Sequence, residues 1–346
     1  MDFKETLANL FRPALRPHER SLENTLDAAW RAQIAESYES ALALLDRALE
    51  IARSAPDQAA EVVTQLHRSE IYVAQGRYDD ADQLLRALLD GARGDTQRSY
   101  IHSMIGVLAQ ARGDASGART AFEKALELAR RAESPAAEGR ALGHLGESYL
   151  RDDNASYAAH LLHDALPRLA TAGDAELNSS FTGSLGLAMI QNGQTSDGQH
   201  LLERALRVAE QTNYHAYERR WGLVLGDRAL LEGPYTEPYS YDNHVLRLFA
   251  PESTSPEYVS AVAQISKARL SLRKADEALA YAQIAYKTAD ALGDPALRSK
   301  AQYALGEALR AVGRGKAGDP ASGVRSASRL AGAAQPRRRA VGQRRQ

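Results

Sequence analysis

The sequence predicts an all-α fold, a solenoid of stacked helix-turn-helix units, on three observations. A small residue recurs at nearly constant spacing along most of the chain: Ala29, Ser69, Gly106, Gly146, Gly186, Gly226, Ser266 and Gly306, every step being 40 residues except one of 37. Each unit carries two stretches of apolar residues at helical spacing, parted by turn residues such as Gly76-Arg77-Tyr78-Asp79-Asp80, Arg112-Gly113-Asp114 and Asn192-Gly193-Gln194. Strand signals are missing, with neither alternating β-branched runs nor two-residue hairpin turns between such runs.

Taken in order, residues 1–21 read as a partly helical cap, residues 22–312 as about eight repeats, and residues 313–346 as a basic tail. Within each repeat the first helix carries the small column. The second helix carries another, at Ala41, Ala81, Ala118, Ala158, Gly198 and Ala278, followed four residues on by Leu45, Leu85, Phe122, Leu162, Leu202 and Ala282. Small residues let two helix backbones approach closely, and the larger ones fill the groove beside them. A single hairpin of this kind cannot bury its own face, so the units must stack. Ser134-Pro135, Ser255-Pro256 and Asp294-Pro295 each supply a capping oxygen followed by a proline suited to the first helical position.

Repeat six breaks the pattern. Residues 233–257 hold four prolines and lose the second small column, which predicts an irregular loop, a short helix near residues 242–249 and a fresh helix start at Ser255. Its Tyr235, Tyr239 and Tyr241 suit a binding surface, or else cover neighbouring helix ends.

This arrangement resembles the tetratricopeptide-repeat (TPR) family, in its long-repeat variety, through the recurring Leu-Gly or Ile-Gly pair and through Tyr72 and Tyr149 at the family's tyrosine position. The repeats lack the motif's leading tryptophan, and Ala32, Ala109, Met189, Ala229, Arg269 and Leu309 depart from its tyrosine. The resemblance implies a right-handed α-solenoid whose first helices line a concave groove. It also implies a noncatalytic scaffold binding a protein or peptide there, such as the sensor part of a signalling system. The groove residues it points to are Trp30, Glu70, Arg140, Glu147, Arg151, Leu187, Arg220, Asp227, Lys267 and Glu307, with Gly143 and Gly183 leaving the floor open. Acids mixed with arginines and leucines suit a peptide carrying basic residues, or else form a solvated face whose acids pair with nearby arginines. The clamp that some family members use to grip C-terminal carboxylates is not expected, since repeat one offers Leu26 and Trp30 in its place.

Composition narrows the chemistry. There is no cysteine, which removes disulfides, thiolate nucleophiles and cysteine-based metal sites together. No apolar run reaches the roughly 18 residues of a membrane span, and the N-terminus lacks a signal-peptide core, so a cytoplasmic location is expected. His160 and His163 share a helix face but lack a third committed ligand, and read as surface histidines. Gly313–Gly318 satisfies a GxGxxG spacing without the preceding strand a dinucleotide fold needs. No catalytic residue, metal site or cofactor is therefore expected.

The net charge of -1 conceals an asymmetry. Residues 313–346 hold nine Lys or Arg and one Asp, a charge of +8, which leaves -9 on residues 1–312. Few core-forming residues predict disorder for the tail. Its arginines suit nucleic acid, giving an alternative reading as a nucleic-acid-associated regulator, or fold back on the acidic body. A third reading, behind plain disorder and as its cause, is a truncation or reading-frame change where an eighth second helix is due.

Overall fold

A computed structural model describes residues 17–34, 37–54, 57–212, 214–232, 244–249 and 255–315. The loop tyrosines Tyr235, Tyr239 and Tyr241 and the tail from residue 316 lie outside these. Every regular element among the described residues is an α-helix. The chain divides into two compact units, Met1–Tyr217 and Glu218–Gln346.

The first unit holds five hairpins. Their inner helices are α1 (Pro17–Ile34), α3 (Gln58–Ala74), α5 (Asp95–Ala111), α7 (Pro135–Arg151) and α9 (Ala175–Gln191). The outer helices are α2 (Tyr38–Ser54), α4 (Tyr78–Gly91), α6 (Ala115–Arg131), α8 (Ala155–Ala172) and α10 (Thr195–Thr212). Within this unit, the contact between the two helices of a hairpin varies with the small-column residue. It is most extensive where that residue is Gly146, Gly106 or Gly186, less so at Ala29, and least at Ser69. Atomic geometry gives the reason. A Cβ on Gly146 would stand 2.6 Å from Leu162 Cγ, and one on Gly186 2.6 Å from the Gly198 carbonyl oxygen. Both columns, and the larger residues four positions on, lie in the buried core, with Leu45, Leu85, Phe122, Leu162 and Leu202 fully enclosed.

Several polar groups that enter this packing are hydrogen-bonded. The Ser99 hydroxyl donates to the Ala125 carbonyl at 2.7 Å. Asp57, Asp114, Asn154 and Asp174 cap their helices, as in the 3.0 Å bond from the Ala60 amide to Asp57 and the 2.8 Å bond from the Gly117 amide to Asp114. Each satisfies an amide the helix leaves unpaired.

In the four hairpins of this unit after the first, the turn places a left-handed residue seven positions after the small column. Gly76, Gly113 and Gly193 supply it at φ 73°, 83° and 85°. Asp153, at φ 58°, takes the same conformation without glycine's freedom.

In the second unit, α11 (His215–Glu232), counted from Glu218, is followed by a short helix at 244–247, then α12 (Pro256–Ser271), α13 (Ala275–Leu292) and α14 (Pro295–Gly315). The short helix substitutes for the missing second helix of repeat six. Its Val245 is fully buried, 2.6 Å from where a Cβ on Gly222 would lie, and His244 contacts Glu218. Ser255 caps α12 by accepting from the Tyr258 amide at 3.1 Å, and Pro256 opens the helix. Ser266, in the small column of α12, donates to the Ala278 carbonyl of α13 at 2.8 Å, joining the two helices of that hairpin. Arg273 occupies the left-handed turn position at φ 58°.

Candidate functional site

The inner helices of the first unit bring a set of polar side chains together across the superhelical turn. Trp30, near the end of α1, donates from its indole nitrogen to Glu176 Oε2 at 3.2 Å, although the two lie 146 residues apart. The Trp30 ring also meets Tyr214, just beyond α10, edge to face at 5.1 Å. The first repeat thus closes against the inner helix of the fifth.

Between these two helices lie Glu70 on α3, Tyr100 on α5 and Arg140 on α7. Arg140 reaches the N-terminus of α9, where its Nη2 is 3.0 Å from Asp174 Oδ2, and its guanidinium carbon sits 5.4 Å from the Tyr100 ring centroid. Asp174 is already committed to structure, since its other oxygen accepts from the Leu177 amide at 3.1 Å. Glu70 and Glu176 are half-buried and held less tightly.

Charge does not balance here. Among the described residues, three carboxylates, Glu70, Asp174 and Glu176, lie about one guanidinium, with Asp174 buried and the two glutamates half-buried. Burial pushes the Glu70 carboxyl up to about 7, with Glu176 and Asp174 adding to the rise while Arg140 and a hydrogen bond from Gln33 oppose it. Glu176 is raised as well, first by burial and then by Asp174, against the Trp30 hydrogen bond and Arg140. Near neutrality Glu70 is therefore partly protonated.

The other groove residues fall differently. Glu147 is buried at 8% exposure and accepts from the Ser184 hydroxyl of α9 at 2.6 Å. Leu187 packs on the core around Phe181 and Leu185, and Arg151 is exposed at the end of α7. Gly143 does not leave an open floor: Phe181 from the next inner helix fills that space, and a Cβ on Gly143 would overlap its ring. Gly183 is likewise buried. His144, beside it on α7, stacks on Phe122 at 5.2 Å and meets Phe181 edge-on at 5.3 Å. Burial drives its pKa down to about 4, so it is neutral at pH 7.

In the second unit, the Arg220 guanidinium lies 4.4 Å from the Trp221 ring centroid. Asp227 and Lys267 are exposed, and Glu307 pairs with Arg310 at 2.6 Å. On α8, His160 and His163 are exposed and lie 3.9 and 3.8 Å from Asp164, in keeping with surface histidines.

Trp30, Glu70 and Arg140 are thus gathered as their sequence positions indicate. Asp174, Glu176 and Tyr100 join them unforeseen. The two acids lie at the start of α9, a turn or more before the row expected to face the groove, and their one sequence signal is the Asp-x-Glu that opens the helix.

Together the hairpins and their packing define a TPR-like α-solenoid of the long-repeat type. No protein-family model matches the chain, and no curated protein matches it in sequence. Solved structures match it in fold. It is similar to a Rap protein complexed with competence and sporulation factor, at 15% identity over 92% of this chain and 91% of that one, with a TM-score of 0.61. It is also similar to NprR in complex with its cognate peptide NprX, at 14% identity over 90% and 94% of the two chains, TM-score 0.56. The apo form of the quorum sensor NprR from B. thuringiensis matches at 13% identity over 83% and 81%, TM-score 0.58. No helix among the described residues is long and apolar enough to cross a membrane.

Proposed function

We propose that this chain is a noncatalytic peptide receptor, the sensor part of a regulatory system. A short peptide binds inside the first unit, where Glu70 and Glu176 take up one of its basic side chains or its amino terminus. The observation that carries this reading is the surplus of carboxylate over guanidinium, among the described residues, in a partly buried interior that all five inner helices reach. An incoming cation would offset the burial that, with the neighbouring Glu176 and Asp174, raises the Glu70 carboxyl to about 7. Trp30 and Tyr214 offer flat aromatic surface beside it. Support of a second kind comes from fold: NprR binds its cognate peptide on a similar solenoid. The cluster offers binding and orientation, and it presents no nucleophile poised against a base.

The reading is tested by selecting binders from a library of random short peptides on the full chain and on the Glu70→Gln/Glu176→Gln variant. Enrichment of Lys and Arg on the wild type, lost on the variant, is the expected result. Affinity of the selected peptides should also fall as pH drops below about 7, because binding must then expel the Glu70 proton. Peptides without basic preference, or binding both proteins alike, would overturn it.

A further inference from the structure

Beside its acids, the interior of the first unit holds a donor and an acceptor that find no hydrogen-bond partner among the described residues. Arg140 commits Nη2 to Asp174 at 3.0 Å, while its Nε–H is buried and unbonded. Gln33, on α1, hydrogen-bonds the Glu70 carboxylate, and its own Oε1 is buried and unbonded as well. Polar atoms shut away from water in this way carry a cost that a bonded ligand removes. The same place is short of cations. Glu70 feels Glu176 and Asp174 against Arg140, which among these four groups is an excess of two negative charges once Glu70 ionises.

We infer that the ligand enters this cluster by its free amino-terminal residue, and that this residue is basic. Its two cations, the α-ammonium and the side chain, lie on Glu70, Glu176 and the Gln33 oxygen, and its carbonyl oxygen accepts from the Arg140 Nε–H. This rests on the peptide-receptor reading above and narrows it to one end of the peptide.

Charge and hydrogen-bonding capacity separate this residue from the alternatives. A lysine or arginine side chain within a peptide brings one positive charge and only donors, so half of the excess stays and the Arg140 Nε–H remains unbonded. A neutral residue at the amino terminus supplies the carbonyl, but again a single charge. Free lysine or arginine brings two cations together with a further carboxylate. An amino-terminal Lys or Arg within a peptide brings two cations and a neutral acceptor. Its α-nitrogen and carbonyl oxygen are three bonds apart, so one short fragment answers the acids and the guanidinium together. Trp30, bonded to Glu176 at 3.2 Å and edge to face with Tyr214 at 5.1 Å, offers ring surface to the methylenes of that side chain.

Three mixtures of synthetic hexapeptide amides, captured on the full chain and identified by mass spectrometry, test this. One has Lys or Arg first and a free amino terminus. The second is the same with the terminus acetylated, and the third has a free terminus with Lys or Arg fourth. The remaining positions are random and omit Lys, Arg and His. The first mixture should be retained at least about tenfold over the other two, since each of those loses one hydrogen-bonded cation from the cluster. For a retained peptide, affinity measured by calorimetry should fall about tenfold per pH unit above about 8, where an α-amine loses its proton, whereas a lysine side chain keeps its own to about 10. Gln33→Met keeps the side chain's length and removes the acceptor, and should weaken such a peptide about tenfold while leaving its acetylated form unmoved. Equal retention of the acetylated mixture, or of the mixture with its basic residue fourth, overturns this inference and leaves the peptide-receptor reading standing. So does an affinity that is level from pH 8 to 9.5. Retention of none of the three mixtures overturns both.

Discussion

Replacing Glu70 by glutamine should stabilise the protein at pH 8 and do little at pH 5. The folded chain holds the Glu70 proton up to about 7, whereas the unfolded chain releases it near the ordinary value of 4.5. The stabilisation from this raised group is therefore complete below pH 4.5 and lost as pH climbs through 7. The displacement corresponds to about 3 kcal/mol at about 1.4 kcal/mol per pH unit. Glutamine keeps the shape and a carbonyl acceptor and cannot ionise, so it retains that energy at every pH. For a unit of this size, about 2–4 °C per kcal/mol gives a rise of about 6–12 °C at pH 8, and at pH 5 the gain should be under about 1 kcal/mol. Circular dichroism melts of both proteins at the two pH values decide the matter. An equal offset at pH 5 and pH 8, or a loss at pH 8, would mean that Glu70 is well solvated or fully paired, and the charge surplus in the interior would not exist.

His144 shows the opposite sign. Burial holds it neutral down to about pH 4 against an unfolded value of 6.5, so its contribution is present above pH 6.5 and lost as pH falls toward 4. His144→Phe should therefore reduce the drop in urea midpoint between pH 7 and 4.5 by an amount equivalent to about 3 kcal/mol. Gly186→Ala brings a Cβ to 2.6 Å from the Gly198 carbonyl oxygen, and urea titration should show a loss of about 1–3 kcal/mol despite alanine's better helix propensity. Arg273→Gly relieves a left-handed residue at φ 58° and should gain about 0.5–1 kcal/mol in the same assay.

The parts of this structure legible in the sequence are those that depend on neighbours within one hairpin. The spacing of Gly146 to Ala158 and Leu162 contains the whole contact between α7 and α8, so the hairpins, their caps at Ser134 and Ser255 and the buried columns can all be read directly. Contacts between repeats are set by small rotations that accumulate from one hairpin to the next, and those are not written at any single position. Hence Trp30 meeting Glu176 and Tyr214, and Phe181 filling the space over Gly143, emerge only in three dimensions. Glu147 shows the same limit. Its place in the row suggests an open groove, but the approach of α9 covers it and hands it to Ser184. Turn geometry is legible at Gly113 and Gly193 and hidden at Asp153 and Arg273, because a strained residue leaves no compositional trace.

The polar interior has two kinds of acid, and the difference bears on how a ligand could be felt elsewhere in the unit. Asp174 is bound at once to Arg140 and to its own helix end, so its ion pair fixes α7 against α9 whether or not anything is bound. Glu70 and Glu176 are unlike it: their ionisation is opposed first by burial and then by Asp174, and for Glu70 by Glu176 as well, and their helices belong to repeats two and five. A cation that let both ionise would attract α3 and α9 toward a common point, and Trp30 would bring α1 with them through its bond to Glu176. A solenoid accommodates such a pull by slight rotations at each hairpin junction, since each repeat contacts only its neighbours. Under the proposed function, the same carboxylate surplus would convert the arrival of a basic ligand into a change of superhelical pitch. Glu176→Gln should weaken that coupling more than Asp174→Asn does, provided the helix cap survives in the latter.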